Sequence, residues 1–290
     1  MTANSSSGDN DRTFCWEQVS RTNRVFRISH VFAPAFCADR LVPLYAFFSI
    51  CEQMASSTSD EGIAESKLLW WRSECLHGDP GKSRHPVLRE MEGTGALVLL
   101  PRESLQRLLD GVEFRLNASA PPDLESLKRI CIDLQHPQAG LELAVAGLQA
   151  ESFTGHQGQL GRAGLLQLIR ESALGQNRDA WWWVPMHLLA RHGLNRDDIP
   201  RNSGSENVAG LFSEIFEASR LWGADGDGVR AEAGGDQSRL RHLFAINGLY
   251  SGQLSRLEKR TPDRYEWELK PLGIGDIYLD WKASPRRQLH

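Results

Sequence analysis

Apolar residues recur every three or four positions along most of the chain, the spacing that places side chains on one face of an α-helix. Alternating apolar and polar positions, which are typical of a half-buried β-strand, do not extend over any useful length. The pattern therefore predicts an all-α protein. The helical stretches that it predicts are 24–55, 65–76, one that begins at 85, 101–116, 124–148, 161–175, 211–219, 239–259 and 274–283.

Prolines and glycines divide these stretches. Pro34 and Pro43 interrupt the first one, which therefore predicts two helices, the second of them opening near Pro43. The polar segment 195–207 and the glycine-rich acidic segment 223–235 predict loops. Helices of this number and spacing predict a bundle packed around a central cavity, the usual place for a ligand in such folds.

The first twelve residues are rich in Ser, Asn and Asp and contain no apolar core. This composition predicts a disordered tail over residues 1–12 and gives no sign of a secretory signal. Residues 13–290 are predicted to form a single helical domain. No apolar run approaches the roughly 18 residues that a membrane span needs, so we expect at most peripheral contact with a membrane.

The 290-residue chain carries 33 Lys and Arg against 37 Asp and Glu, a formal net charge of −4. This balance gives no support to nucleic-acid binding, because proteins that bind polyanions usually carry a strong basic excess. The five cysteines are widely spaced and form no C-x-x-C pair, which predicts buried thiols in a reducing compartment. We therefore expect a cytoplasmic protein.

A series of short motifs follows the helical pattern in a fixed order. These are L-Y-A-F at 44–47, K-L-L-W-W-R-S-E at 67–74, H-P-V-L at 85–88, L-D-G at 109–111 and V-P-M-H-L-L-A-R-H-G-L at 184–194. Each motif alone is weak evidence, but the ordered set at these separations is fairly specific. The series resembles the squalene/phytoene synthase family over residues 26–194, with a weaker echo at 271–281.

The resemblance implies an isoprenoid-synthase-type bundle of many helices around a deep apolar cavity. Active members of the family join two prenyl diphosphates head to head. Their two aspartate-rich motifs face each other across the cavity mouth and hold Mg²⁺ ions that bind the diphosphate. Magnesium neutralises the charge that develops as pyrophosphate departs, and several converging carboxylates are needed to hold it.

The sequence departs from the family where that chemistry belongs. The first motif, D-D-x-x-D in active members, reads E-Q-M-A-S at 52–56, so Glu52 alone keeps a carboxylate. The second motif, R-D-x-x-E-D, reads R-E-S-A-L-G at 170–175, where Glu171 alone remains. Two isolated glutamates do not form a magnesium cluster, so we expect no metal site and no cofactor. Mg²⁺ would be needed only if the chain were active.

The candidate site residues follow from this alignment. Glu52 and Glu171 are vestigial catalytic candidates, although a carboxylate at such a position is more often ion-paired or solvated than functional. The resemblance implies Tyr45, Phe48 and Arg170 as candidate substrate-binding residues. We expect the helices that carry the two glutamates to face each other across the cavity.

Two tryptophan-rich segments lie close to these motifs. Trp70 and Trp71 are expected to pack helix against helix, with Arg72 capping a helix or paired within the protein. Three consecutive indoles at 181–183 cannot all lie on one side of a helix. We therefore expect at least one of them to be exposed, where it would offer a surface to a partner, or to line the cavity.

The loss of both motifs beside an intact frame favours a non-catalytic protein that binds an isoprenoid or other lipid, or that acts in assembly through a protein partner. This pattern resembles the phytoene-synthase-like assembly factors of respiratory complex I. One alternative is an active or residual prenyltransferase or prenyl-diphosphate phosphatase, in which Glu113 or Asp179 supplements the two glutamates. Another is an interaction protein whose cavity is filled by its own side chains.

Overall fold

The computed structural model describes residues 5–56, 61–78, 83–148, 157–174, 180–201, 204–224 and 238–259. Within these ranges the chain forms α-helices and short 3-10 turns but no β-strand, which confirms the all-α prediction. No helix in these ranges is long and apolar enough to cross a membrane. The α-helices are α1 (Ser5–Thr22), α2 (Arg24–Ser29), α3 (Ala38–Ser56), α4 (Glu61–Leu76), α5 (Pro86–Gly93), α6 (Arg102–Leu116), α7 (Leu124–Val145), α8 (Gln157–Leu174), α9 (Met186–Arg191), α10 (Asp198–Arg201), α11 (Glu206–Ala224) and α12 (Arg241–Glu258).

Several helices begin where the sequence predicts. Pro86 is the first residue of α5, and the His85 ring accepts a hydrogen bond from the Val87 backbone N–H at 3.2 Å. The Asp123 carboxylate caps α7 by accepting from the Ser126 backbone N–H at 2.8 Å. These caps satisfy backbone donors that have no partner in the first helical turn, so they fix where the helices start.

The predicted start of a helix near Pro43 is wrong. Helix α3 begins at Ala38 and runs through Pro43, whose ring removes one backbone hydrogen bond from the helix. The helix tolerates this loss because its first turns are buried, with Leu41 1% and Leu44 0% exposed. Burial of apolar side chains outweighs the single missing bond.

The predicted disordered tail over residues 1–12 is wrong for the part that the structure describes. Residues from Ser5 onward belong to α1, which packs against α3 and α5. The buried Asp11 carboxylate accepts two hydrogen bonds from the Arg89 guanidinium, one of them 2.7 Å long. Polar composition pointed to a tail, but this bidentate ion pair gives the segment a partner in α5.

The segments predicted as loops have different outcomes. Segment 195–207 contains the one-turn helix α10, so the loop prediction is wrong there in part. The first two residues of segment 223–235 complete α11, and the others lie outside the described residues. The helix predicted at 274–283 also lies outside them.

The buried apolar side chains form two clusters. The first joins α1, α3, α5 and α6 with the second half of α7 and the first half of α12. The second joins the first half of α7 with α8, α11 and residues 181–183, together with the last turns of α12. Helices α7 and α12 therefore connect the two halves of the core, and Tyr250 of α12 packs against both.

The prediction of buried thiols is confirmed for most of the cysteines. All five are free, and four are buried, while Cys75 is half-buried. Burial raises the pKa of the Cys15 and Cys75 thiols to about 12, and that of Cys37 to about 11. These thiols therefore stay protonated and unreactive near neutral pH.

Helices α7 and α8 approach each other closely at Gly164. A Cβ atom at this position would lie 2.3 Å from the backbone carbonyl oxygen of Cys131. Backbone cannot move aside as the end of a side chain can, so the contact requires glycine. Because α8 also carries Glu171, this contact helps to position the candidate site.

Gly164→Ala should destabilise the protein by roughly 1–3 kcal/mol, because the added methyl group overpacks the contact. Gly252→Ala is the matched control, since Gly252 is also helical and has no neighbouring atom within 4 Å of the position of its Cβ. This control should instead gain about 0.5–1 kcal/mol from helix propensity. Urea unfolding followed by circular dichroism measures both variants, and equal stabilities would contradict the close approach.

Candidate functional site

Helices α3 and α8 lie against each other and bring Glu52 and Glu171 into the same region of the bundle. Burial raises the pKa of Glu52, and the nearby negative charge of Glu171 adds to the shift. The two helices therefore lie next to each other, as expected, while the cavity expected between them stays a prediction. What surrounds the two carboxylates decides what they can do chemically.

Glu171 is held by a buried ion pair. Arg115 of α6 donates from Nη1 to the Glu171 carboxylate, and the Arg115 side chain is only 3% exposed. The Gln167 amide, one turn earlier on α8, donates to the same carboxylate oxygen at 2.9 Å. Gln135 of α7 donates in turn to Gln167. Three helices thus form a hydrogen-bonded chain that satisfies Glu171.

Glu52 is half-buried, and its carboxylate makes no hydrogen bond or ion pair with the described part of the chain. Burial is the main cause that raises its pKa, the positive charge of Arg170 opposes the shift, and the charge of Glu171 adds to it. The protonated, neutral form of Glu52 is therefore favoured more than it would be in water.

The described residues around the two glutamates do not fit a magnesium cluster. No group of three or more His, Cys, Asp or Glu side chains in the described ranges could hold a metal ion. A cation at Glu171 would have to displace Arg115 from a buried ion pair.

Of the two carboxylates suggested as supplements to this site, the structure describes Glu113 alone. Glu113 accepts instead from Arg72 at 2.8 Å, and Asp110 accepts from the same guanidinium at 2.5 Å. These contacts confirm the predicted internal pairing of Arg72. Asp179 lies outside the described residues.

The candidate substrate-binding residues have partners inside the protein. Tyr45 is 5% exposed, and its hydroxyl donates to Glu142 at 2.5 Å. The buried Phe48 ring packs edge-on against Tyr45, with 5.1 Å between the ring centroids. Arg170 donates to the backbone carbonyl of Thr22. Each side chain therefore stabilises the fold, and its role in binding a substrate stays a prediction.

Sequence reasoning missed a buried polar cluster around Glu142. The Glu142 carboxylate accepts from the Tyr45 hydroxyl, and its other oxygen lies 2.6 Å from Nδ1 of His242. Nε2 of His242 lies 3.1 Å from the Ser29 hydroxyl. These four side chains, from α3, α7, α12 and α2, are all 5% exposed or less.

Serine, histidine and a carboxylate also occur in this order in hydrolase triads, but the burial of Ser29 excludes that reading. Ser29 is 0% exposed, and its hydroxyl donates to the Phe26 backbone carbonyl at 3.2 Å. One signal in the sequence could have indicated the cluster. Glu142 stands between Leu141 and Leu143 in a buried stretch of α7, where a charged side chain needs a partner.

An indole at 181–183 was expected to be exposed or to line the cavity, and the first of these two outcomes is wrong. Trp181, Trp182 and Trp183 are 6%, 8% and 0% exposed, and they pack in the second core cluster. They lie in a turn rather than a helix, so consecutive side chains can enter different parts of the core. The segment therefore offers no surface to a partner.

One recess, of about 20 Å³, lies between α3, α7 and α12 and is lined in part by Tyr45, Glu142 and Tyr250. Such a recess is about the size of one water molecule, whereas sites for organic ligands usually hold roughly 300–1,000 Å³. Larger grooves of about 560 and 420 Å³ lie at the surface, along α4 and between α6 and α7.

Comparisons with known sequences agree with this architecture. A sequence profile described as squalene/phytoene synthase matches residues 19–275. The NADH dehydrogenase (ubiquinone) complex I assembly factor 6 of Mus musculus is 22% identical over 213 residues, which are 72% of this chain and 63% of that protein. The Homo sapiens protein of the same name is 21% identical over 212 residues, with the same coverage. The chain thus spans less than two thirds of the length of these relatives.

Solved structures share the fold. A dehydrosqualene synthase in complex with a ligand has a TM-score of 0.74 at 13% identity, covering 95% of this chain and 96% of that one. Squalene synthase HpnC from Alicyclobacillus acidocaldarius has a TM-score of 0.66 at 18% identity, covering 86% and 94%. At such identities the likeness shows the fold alone, and it confirms the predicted isoprenoid-synthase-type bundle.

Glu142→Ala should destabilise the protein by about 3–5 kcal/mol, because Tyr45 and His242 lose a buried partner. The matched control is Glu125→Ala, which removes an exposed acid from the first turn of the same helix. It should cost less than about 1 kcal/mol. Guanidinium unfolding measures both, and a small loss in Glu142→Ala would mean that the cluster contributes little.

Glu52→Gln should make the protein more stable at neutral pH. Because folding raises the pKa of Glu52, the folded state binds its proton more tightly, and stability falls as the pH rises above the ordinary glutamate range. The glutamine variant lacks this loss, so its advantage should disappear in acid, where Glu52 is protonated in both states.

Thermal unfolding of both proteins across this pH range measures the effect of Glu52→Gln. Glu65→Gln, at an exposed position of α4, is the control and should show no such pH dependence. A glutamine variant less stable than the wild type at neutral pH would show instead that the surrounding arginines stabilise the Glu52 charge.

Proposed function

The chain belongs to the squalene/phytoene synthase family, and we propose that it is a non-catalytic member that acts as an assembly or interaction protein. The observation that carries this proposal is the state of Glu171. Its carboxylate is paired with Arg115 inside the bundle, at the position where the family resemblance places a metal-binding aspartate motif.

Ionisation of a prenyl diphosphate requires positive charge that is free to act on the leaving group. The charge of Arg115 is already balanced by Glu171, and Arg170 is engaged with the Thr22 carbonyl and lies near Glu52. A diphosphate that entered would therefore find Arg115 already paired. In the described part of the chain it would also find no set of three or more carboxylates to bring magnesium with it.

The interior also favours interaction over chemistry. Tyr45, which the resemblance implies as a substrate contact, is committed to Glu142. The recess beside that pair has a volume of about 20 Å³, so it has no room for an isoprenoid chain at that point. We therefore propose a function at the protein surface.

The similar sequences point to the kind of partner. Proteins named as complex I assembly factors cover 72% of this chain, so we propose a role in the assembly of a multisubunit protein complex. The chain matches only 63% of those relatives, and the partner is proposed as a class and not as a particular protein. The cytoplasmic location stays a prediction.

The test supplies the purified protein with Mg²⁺ and a prenyl diphosphate. We expect no release of pyrophosphate and no rise in melting temperature. A ligand at a hundredfold excess over its Kd would stabilise the folded state by about 2.7 kcal/mol, so binding would be readily detected. An active squalene synthase, assayed in parallel, confirms that the reagents work.

Two outcomes would overturn this proposal. The first is pyrophosphate release that Glu52→Ala or Glu171→Ala abolishes while Glu65→Ala, at an exposed position, retains it. The second is an upward shift of several degrees that needs both Mg²⁺ and the diphosphate. Either would place the chain among the active or residually active members of its family.

A further inference from the structure

One face of α2 and of the turn that follows it is exposed and basic. Arg24, Arg27 and Val31 are spaced three and seven residues apart, which places them on the same side of the helical segment. The opposite side is buried through Val25 and Phe26. Both arginines are exposed, and their side chains make no hydrogen bond or ion pair with the described part of the chain.

Apolar side chains project beside these charges. Val31 is 81% exposed and Phe36 is 53% exposed. Neither side chain lines the 20 Å³ recess or the two surface grooves. The Arg239 guanidinium lies over the Phe36 ring, 5.7 Å from its centroid, and donates from Nη1 to the Gly147 backbone carbonyl at 3.2 Å. We call Arg24, Arg27 and Val31, together with Phe36 in the turn that follows them, the basic apolar face.

A second exposed apolar turn lies at the same end of the bundle. Nε of Arg40, in the first turn of α3, donates to the backbone carbonyl of Thr94 at 3.1 Å. The turn that follows Thr94 carries Val98, which is 91% exposed, and Leu99, which is 37% exposed. Of the acids near this end, Asp39 is paired with Arg12, while Glu92 is exposed.

We propose that the basic apolar face docks the protein on an anionic lipid bilayer. Arginines in this arrangement attract acidic headgroups, while the projecting valine and phenylalanine enter the interface between headgroups and acyl chains. The chain as a whole carries a net charge of −4, so this attraction belongs to the face and not to the whole molecule. A nucleic acid would use the arginines but would gain little from the exposed aliphatic side chains.

This inference does not rest on the proposed loss of catalysis. An active enzyme and an assembly protein would dock through the same residues, because none of the four belongs to the site around Glu52 and Glu171. The vesicle measurement below and the pyrophosphate assay can therefore fail independently.

The full chain is mixed with vesicles of equimolar phosphatidylcholine and phosphatidylglycerol and sedimented. We expect the protein to sediment with these vesicles at low salt, to remain in solution with pure phosphatidylcholine, and to be released by added salt. A wild-type protein that does not bind the anionic vesicles at low salt would overturn the proposal. Binding to a duplex oligonucleotide in place of vesicles would do the same.

The double variant Arg27→Glu with Val31→Ser tests the face itself. We expect its vesicle partition coefficient to fall roughly tenfold or more, because it loses both an interfacial charge and an inserted side chain. The matched control is Arg220→Glu with Leu221→Ser, which makes the same charge change beside an apolar side chain that is 68% exposed on α11.

The control should bind vesicles as the wild type does, and circular dichroism checks that both variants are folded. An equal loss of binding in the two variants would indicate a response to net charge alone and would overturn the assignment of the face. A folded Arg27→Glu, Val31→Ser protein that binds like the wild type would overturn it as well.

Discussion

The fold depends on one buried carboxylate. Glu142 sits in the middle of the bundle, where an unpaired charge would be prohibitively costly, and it is satisfied by Tyr45 on one oxygen and His242 on the other. Ser29 extends the same chain to α2. Helices whose contacting residues are 97, 100 and 213 positions apart in sequence are thereby held in one register. Apolar packing alone would fix that register less strictly because apolar contacts are not directional.

The same principle governs the candidate site. Glu171 is satisfied by Arg115 and Gln167, just as Glu142 is satisfied by its own partners. An active centre must keep polar groups ready for substrate, whereas here the buried polar groups of three helices satisfy one another. This supports the proposal that the bundle serves as a scaffold. Glu52 is the exception, since burial raises its pKa while no hydrogen-bond partner stabilises its charge in the described part of the chain.

Periodicity predicted the helices well because most of them bury one apolar face, and the caps at His85 and Asp123 act locally. The errors arose where distant residues decide the outcome. No residue near Asp11 in the sequence indicates that Arg89 is its partner. No residue near Pro43 indicates that tertiary packing keeps the chain helical through this proline. The proximity of the helices that carry Glu52 and Glu171 could be predicted only from the family resemblance. The pairing of Glu171 with Arg115 could not be predicted, since Arg115 lies on another helix.

For the tryptophans at 181–183, a correct premise about helix geometry led to a wrong prediction of surface exposure. Three consecutive residues on a helix do point in different directions, but residues 180–184 form a turn enclosed by the second core cluster. The Trp183 indole N–H also donates a hydrogen bond to the Ser172 hydroxyl at 2.7 Å. The two most exposed of the large apolar side chains, Val31 and Val98, lie instead in short 3-10 turns, where no long helical period marks them. An interaction surface on this fold can therefore include turns that the periodicity of the helices does not reveal.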